Sequence, residues 1–319
     1  MNKYNNVLKL KINKIEKVDK VDFLFKINID ILFMDKVLND IQNVVGKPKS
    51  FHRKIKNGEF TIYWGTKIYD YLDIKIVFIL NKIIEFLKLG HNIIILVADI
   101  HTILDNQVNY FSKNVDLFID KLFHQIKLYN LTDGQFSKLK IIKGSQFQLS
   151  SNYILDMIKL ISIHGSIKNY CDKFNLDVNS IAFNDVLHPI LQSLDEEHLK
   201  EISGCEIDCQ IGYSVNIKQH VFAKKNMPKL GYKSRTYLLY DIPDNFINKP
   251  IYFKTNNFVS IMNILNEKSL LFMINTLFDM IELKKIYSIE EISKKKIIFN
   301  KMSREDKCDT TIELINTLF

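Results

Sequence analysis

Polar side chains that could hold a small ligand follow the apolar runs of this sequence at three points. The three polar segments are YWGT (63–66), VADIH (97–101) and KGSQFQL (143–149). A fourth segment carries His188, Gln192 and Asp195 at spacings of four and three residues. Residues at these spacings share one face of an α-helix. Hydrogen-bonding groups gathered at three chain segments and on one helix face predict a ligand site.

The hydrophobic pattern around these segments predicts alternating strands and helices. Short apolar, β-branched runs predict strands at 60–65, 92–99, 138–144, 206–212 and 235–240. Apolar residues three and four apart predict helices at 77–90, 114–129, 150–163, 185–200, 259–283 and 304–319. This rhythm is typical of an α/β fold with a parallel sheet, in which ligands bind at the carboxyl ends of the strands. The predicted fold therefore brings the polar segments together.

The composition excludes several classes of protein. The chain has 319 residues, 47% of them hydrophobic, and 44 Lys+Arg against 36 Asp+Glu give a net charge of +8. A basic balance suits a nucleic-acid partner. No GxGxxG or GxxxxGK[ST] loop occurs, and the four cysteines form no CxxC pair, so no metal site is predicted. No apolar run reaches the roughly 18 residues of a membrane span.

Five motifs, taken together and in order, resemble those of tyrosyl-tRNA synthetases of the archaeal and eukaryotic type. They are YWGT, VADIH, KGSQFQL, HPILQSLDEEHLK (188–200) and MPKLGY (227–232). Family members have YWGT- or YIGF-like, LADLH, KG-x-x-[FY]-Q-L, YP-x-x-Q-x-x-D and LPALGY strings in the same order. The resemblance implies a class I, Rossmann-like core at 60–244, including a connective or dimerisation region at 153–188. A reduced, helical anticodon-binding-like domain follows at 245–319, and residues 1–59 are predicted to be a helical or mixed extension.

The resemblance also implies roles for the residues of a tyrosine pocket. In the family, a first-strand tyrosine and a helix aspartate hold the phenolic hydroxyl of the substrate, and Tyr63 and Asp195 stand at those positions. A hydroxyl held in this way gives strong discrimination against phenylalanine, which would leave both partners unpaired. The other implied pocket residues are Ala98, His101, Gln148, Tyr153, His188 and Gln192.

The two family motifs that activate tyrosine with ATP have no match in this sequence. At the position of the HIGH-type motif, glycines and histidine are replaced by Asp73, Ile74, Lys75 and Ile76. Residues 240–250, where a KMSKS-type loop should follow the last strand, hold no Lys-Met-Ser run. His188 also stands where the family has a tyrosine. No catalytic residue and no cofactor is therefore predicted.

These observations predict a catalytically inactive tyrosyl-tRNA synthetase-like protein that retains binding of RNA, either tRNA or a tRNA-like structure. The candidate RNA-binding residues form a basic run, namely Lys47, Lys49, Arg53, Lys54 and Lys56. We also expect a homodimer, a cytoplasmic location and no membrane partner. One alternative is an active, divergent tyrosine–tRNA ligase with ATP contacts rebuilt from Lys67, Lys75 or Lys249. A second alternative is a tyrosine-binding sensor or a protein-interaction scaffold.

Overall fold

One six-stranded sheet organises the part of the chain that the structure describes. The computed structural model describes residues 41, 43–46, 55, 60–70, 72–105, 113–174, 177–247, 265–284 and 289–318. The strands are β1 (Asn43–Val45), β2 (Thr61–Thr66), β3 (Asn92–Val97), β4 (Leu139–Lys143), β5 (Cys209–Tyr213) and β6 (Thr236–Tyr240). Their order across the sheet is β1-β6-β5-β2-β3-β4. Strand β1 is antiparallel to β6, and the other pairs are parallel. The predicted α/β fold with a parallel sheet is thus confirmed.

Helices join and cover these strands. They are α1 (Ile74–Lys88), α2 (Asp99–Leu104), α3 (Lys113–Lys127), α4 (Asp133–Phe136), α5 (Ser151–His164), α6 (Ile167–Phe174), α7 (Phe183–Ser203), α8 (Ile217–Asn226), α9 (Asp244–Ile247), α10 (Glu267–Leu283), α11 (Ile289–Lys301) and α12 (Arg304–Leu318). Among the residues that the structure describes, no helix is long and apolar enough to cross a membrane.

Seven of these elements were not predicted from the sequence, and three of them, α2, α4 and α9, are helices of six residues or fewer. Strand β1 has three residues, too few for any periodicity, and it belongs to the segment predicted to be an N-terminal extension. Helix α6 has only eight residues, while lysines interrupt the apolar pattern of α8 and α11. The described residues place Ile41–Phe319 in one compact unit. The domain boundary near residue 244 stays a prediction.

The strand order creates a switch point at the middle of the sheet. From β2 the chain builds outward through β3 and β4, whereas β5 and β6 lie on the opposite side of β2. Strand β2 pairs with β3 along its whole length, and Tyr63 is the register partner of Gln210 on β5. Crossover connections leave in opposite directions there, so a crevice opens beyond the carboxyl ends of the strands.

Helix α1 follows β2 and begins at a side-chain cap. The Asp73 carboxylate accepts a hydrogen bond from the Ile76 amide at 2.9 Å, as expected of an N-cap residue. The helix is buried along most of its length. It holds α10 through Asn81, whose amide donates to the Thr276 carbonyl at 2.8 Å and accepts from the Tyr129 hydroxyl at 2.7 Å. The buried Asn81 side chain is thereby paired with α10 and with Tyr129, which follows α3.

Candidate functional site

A pocket opens at the switch point between β2 and β5. Its volume is about 180 Å³, which greatly exceeds the roughly 15 Å³ that a single water needs. Its walls are residues 63–66 of β2 with Lys67 just after it, Leu96 of β3 with Ala98 just after that strand, and residues 210–213 of β5. Helix α7 adds His188, Gln192 and Asp195, and the start of α1 adds Asp73 and Lys75. The fold therefore gathers residues that are more than 100 positions apart in sequence into one site.

Asp195 forms the floor of the pocket and is almost completely buried. Its Oδ1 atom accepts hydrogen bonds from Gln148 Nε2 at 2.7 Å and from the Tyr153 hydroxyl at 2.9 Å. Its Oδ2 atom lies 3.4 Å from His101 Nε2, longer than a good hydrogen bond. Gln148 and Tyr153 do not line the pocket among the described residues; they fix Asp195 from behind. Oδ1 is thus fully hydrogen-bonded, whereas Oδ2 has only the long contact with His101. A ligand could form a shorter hydrogen bond to Oδ2.

Tyr63 stands beside Asp195 as a neutral hydroxyl. Its ring is 1% exposed, and its hydroxyl lies 3.4 Å from the Gln192 carbonyl oxygen. Burial raises the pKa of Tyr63 well above its usual value, and the carboxyl groups of Glu196 and Asp195 raise it further. Below the floor, burial raises the pKa of Glu196 to about 8, although the hydrogen bond from Tyr237 lowers it. The floor therefore combines a neutral phenol with the Asp195 carboxylate.

Two histidines form one side of the pocket. His101 Nδ1 and His188 Nδ1 are 3.1 Å apart, and the ring centroids are 4.6 Å apart at 69°. His188 Nε2 lies 3.8 Å from Asp105, which is paired with Lys67. Burial, with smaller contributions from His101 and Lys67, lowers the pKa of His188 to about 3. The His188 side chain is therefore a neutral imidazole near pH 7.

A tight turn after β4 positions Gln148 behind the floor. The Ser145 amide donates to Asp99 Oδ1 at 2.8 Å, which ties this turn to the start of α2. A Cβ atom on Gly144 would lie 2.3 Å from Gln148 Oε1 and 2.9 Å from Asp99 Oδ1. Only glycine fits between these two side chains without displacing them.

The start of α1 presents a paired carboxylate to the pocket. Asp73 is buried, and Lys75 Nζ lies 3.4 Å from its Oδ2 atom. Burial raises the pKa of Asp73 above its usual value, and Lys75 opposes that effect. Ile74 is buried in the core and does not line the pocket, whereas Ile76 does. A Lys-Met-Ser string does occur at residues 301–303, from the last residue of α11 to the residue before α12, but it is not part of the pocket lining.

Most of the predicted site residues meet in this pocket. Those in its lining are Tyr63, Ala98, His101, His188, Gln192 and Asp195, and those behind it are Gln148 and Tyr153. Residues 47, 49, 53, 54 and 56, the candidate RNA-binding run, lie outside the described residues. Among the described residues, no group of three His, Cys, Asp or Glu side chains could hold a metal ion.

The sequence did not point to several further lining residues. Gln210 on β5 is 4% exposed, and its Oε1 atom has no hydrogen-bond partner among the described residues. Leu96, Tyr213 and His220 also line the pocket, as does Lys67, which the sequence offered only as an ATP contact of the active-ligase alternative. The sequence feature that could have pointed to Gln210 is that this polar residue interrupts the apolar run CQIGY. Its relevance depends on β5 pairing with β2, which the sequence pattern does not show.

The geometry agrees with comparisons to known proteins. Residues 56–249 match the family described as tRNA synthetases class I (W and Y). The cytoplasmic tyrosine–tRNA ligase of Saccharomyces cerevisiae is 31% identical over 196 residues, which are 58% of this chain and 46% of that protein. The corresponding Gallus gallus protein is 33% identical over 207 residues, which are 64% of this chain and 38% of that protein.

The fold is shared with solved tyrosyl-tRNA synthetases. The Archaeoglobus fulgidus enzyme, crystallised with L-tyrosine, matches with a TM-score of 0.65 and 18% identity over 90% of this chain and 96% of that one. The Aeropyrum pernix enzyme matches with a TM-score of 0.66 and 11% identity over 91% and 92%. This chain belongs to the class I tRNA synthetases of the tryptophan and tyrosine type, and it is a tyrosyl-tRNA synthetase-like protein. It spans less than half the length of the yeast and chicken relatives.

Replacing Gly144 by alanine tests the turn behind the floor. The added methyl group would push Gln148 or Asp99 from its hydrogen bonds, so we expect Gly144→Ala to lower the free energy of unfolding by about 1–3 kcal/mol. Urea denaturation followed by circular dichroism measures this loss. Gly134→Ala is the matched control, because nothing lies within 4 Å of its added Cβ. Equal stabilities of the two variants would contradict the close fit at Gly144.

Proposed function

We propose that this chain binds tyrosine in its central pocket, does not activate it with ATP, and retains binding of tRNA or a tRNA-like RNA. The observation that carries the proposal is the contrast between the two ends of the site. The end at Tyr63 and Asp195 offers a donor and an acceptor for a phenol. The end at α1 offers a carboxylate where a phosphate would have to dock.

The amino-acid end supports recognition of a hydroxyl. Tyr63 is a buried, neutral hydroxyl, and Asp195 has one oxygen without a strong hydrogen bond. A phenolic oxygen placed between them would donate to Asp195 and accept from Tyr63. Phenylalanine would leave both groups unpaired, and such a loss discriminates strongly between substrates. The family relationship makes tyrosine the expected ligand.

The nucleotide end argues against activation. Helix N-termini bind phosphates because their amide groups are free and their dipole is positive. At α1 the Asp73 carboxylate already accepts from the Ile76 amide and pairs with Lys75. A carboxylate about 4 Å from a phosphate costs about 4 kcal/mol at an effective dielectric of about 20. Such a penalty in the transition state slows a reaction by about a thousandfold.

Tyrosine-dependent exchange of pyrophosphate into ATP tests the proposal that the site does not activate tyrosine. We expect tyrosine to bind, as measured by calorimetry, and exchange to stay at background on the same sample. An ordinary tyrosyl-tRNA synthetase at matched concentration serves as the positive control. Clear exchange would favour the active-ligase alternative, with ATP contacts rebuilt from lysines of the pocket such as Lys67 and Lys75.

RNA binding is supported by the family and by the net charge of +8. If the basic run 47–56 contacts phosphates, binding must weaken as salt is raised, because each contact releases counterions. We expect the triple variant Lys49→Ala, Arg53→Ala, Lys54→Ala to weaken tRNA binding and to flatten its salt dependence. Removing equal charge at the exposed Lys127, Lys224 and Lys225 is the matched control. Tyrosine binding without any RNA binding would favour the sensor or scaffold alternative.

A homodimer is supported by an exposed apolar stripe on α5. Leu155, Ile158 and Ile161 are 52%, 55% and 41% exposed at three-residue spacing. Residues at this spacing lie on one side of a helix, and a contiguous apolar patch is typical of an interaction surface. Ile167 on α6 is also exposed and lies within the predicted dimerisation region. A second copy of the chain, presenting the same stripe, is the partner we propose.

Light scattering after size exclusion tests the dimer. We expect the native chain to have twice the monomer mass, and Ile158→Glu to convert it to monomer, because the substitution buries a charge in an apolar contact. Ile298→Glu on α11 is the matched control, since Ile298 is equally exposed outside the stripe. A monomeric native chain would contradict the proposed interface.

A further inference from the structure

The side chain of Tyr213 crosses the crevice at the switch point of the sheet. Tyr213 is the last residue of β5, and Lys75 is the second residue of α1, the helix that follows β2. The Tyr213 hydroxyl donates a hydrogen bond to the Lys75 carbonyl oxygen at 2.9 Å, although the two residues are 138 positions apart in sequence. One side chain therefore joins the carboxyl end of β5 to the first turn of α1.

The Tyr213 hydroxyl remains a hydrogen-bond donor near neutral pH. Burial raises the pKa of Tyr213 well above its usual value, and the nearby Asp73 and Tyr69 side chains raise it further. The hydroxyl therefore keeps its proton, and its acceptor is a backbone carbonyl that does not titrate. The Tyr213 ring is thus held across the crevice as part of the pocket wall.

The position of this ring limits what the crevice can hold. In open α/β sheets, ligands bind outside the carboxyl ends of the strands at the switch point, which is where Tyr213 lies. The cavity beside the ring has a volume of about 180 Å³. Pockets for drug-sized ligands, the size class of an amino acid joined to a nucleoside, have volumes of roughly 300–1,000 Å³. The cavity is too small for such a ligand while the ring stays in place.

We propose that Tyr213 is a steric barrier that admits a free amino acid to the pocket and excludes a nucleoside attached to its carboxyl end. The hydroxyl and carboxyl groups of tyrosine lie at opposite ends of the molecule. If the hydroxyl binds at Tyr63 and Asp195, the carboxyl end must face the other walls, which include Tyr213 and the start of α1. The inference rests on the proposed function, because it takes tyrosine as the ligand.

This barrier differs in its physical basis from the one that Asp73 presents. The Asp73 carboxylate opposes a phosphate through its charge, so it does not repel an uncharged group. The Tyr213 ring acts through its volume and excludes charged and uncharged groups alike. A nucleoside derivative of tyrosine that carries no phosphate therefore separates the two effects.

Two ligands that differ only by a nucleoside test the barrier in the full chain. One is tyrosinamide, and the other is the amide conjugate of tyrosine with 5′-amino-5′-deoxyadenosine. Calorimetry near neutral pH, with competition for the weaker ligand, measures both dissociation constants. We expect the native chain to bind the conjugate at least about tenfold more weakly than tyrosinamide, because one methylene group in a pocket already alters discrimination by roughly 10–200-fold.

Variants of Tyr213 separate the volume of the ring from its hydrogen bond. The measured quantity is the exclusion ratio, which is the dissociation constant of the conjugate divided by that of tyrosinamide. Tyr213→Ala removes the ring, so we expect the ratio to fall at least about tenfold. Tyr213→Phe keeps the ring and loses only the hydroxyl, so the ratio should stay high. Tyr213→Leu, whose side chain is too short to reach α1, gives the same test if the alanine variant does not fold.

An Asp73 variant measures the contribution of charge on the same ligands. Asp73→Asn removes the carboxylate and keeps a side chain that can cap α1. Because the conjugate carries no phosphate, we expect this variant to keep the high exclusion ratio of the native chain. A ratio that falls in Asp73→Asn to the level of Tyr213→Ala would assign the exclusion to Asp73 and overturn the barrier.

The outcomes distinguish this inference from the proposed function. Equal affinities of the native chain for both ligands would overturn the barrier, as would a ratio that stays high without the ring or falls equally in Tyr213→Phe. Tyrosine would still bind in these cases, and the proposed function would stand. Failure of tyrosine and tyrosinamide to bind the native chain would overturn the proposed function and the barrier with it. A high native ratio that falls in Tyr213→Ala but not in Tyr213→Phe supports the barrier.

Discussion

The buried carboxylate of Asp195 is the constraint on which the pocket depends. A charge removed from water is tolerated in a protein only when surrounding groups pair with it. Here the partners come from three separate elements: Gln148 from the turn after β4, Tyr153 from α5 and His101 from α2. Satisfying one carboxylate therefore fixes how these elements meet α7. The same contacts leave one oxygen facing the cavity, where a ligand can complete its coordination.

The two ends of the site use their carboxylates differently. The floor keeps the tyrosine, aspartate and glutamine that the motifs implied. The start of α1 instead places Asp73 over its own helix terminus and pairs it with Lys75. An N-cap carboxylate stabilises the helix by about 1 kcal/mol, but it occupies amide groups that could otherwise hold a phosphate. The helix cap and a bound anion would use the same backbone amide groups of α1. The Asp73 side chain already accepts a hydrogen bond from one of these amides, so the helix needs no anion there.

Much of the fold followed from local sequence pattern. The strand predicted at 60–65 is found at Thr61–Thr66, and the one predicted at 138–144 is found at Leu139–Lys143. Apolar runs bounded by polar residues carry that information locally. The contribution of β5 to the pocket was not predictable, because Gln210 becomes a neighbour of Tyr63 only through pairing across the sheet. The support of Asp195 by Gln148 and Tyr153 likewise depends on packing between elements that the pattern does not define.

A crystal structure of the chain grown with tyrosine and a non-hydrolysable ATP analogue tests the central claim most directly. The account predicts tyrosine in the pocket, with its phenolic oxygen between Tyr63 and Asp195, and no nucleotide phosphate at the start of α1. Nucleotide phosphates bound over Asp73 and Lys75, or a pocket that stays empty at saturating tyrosine, would contradict it.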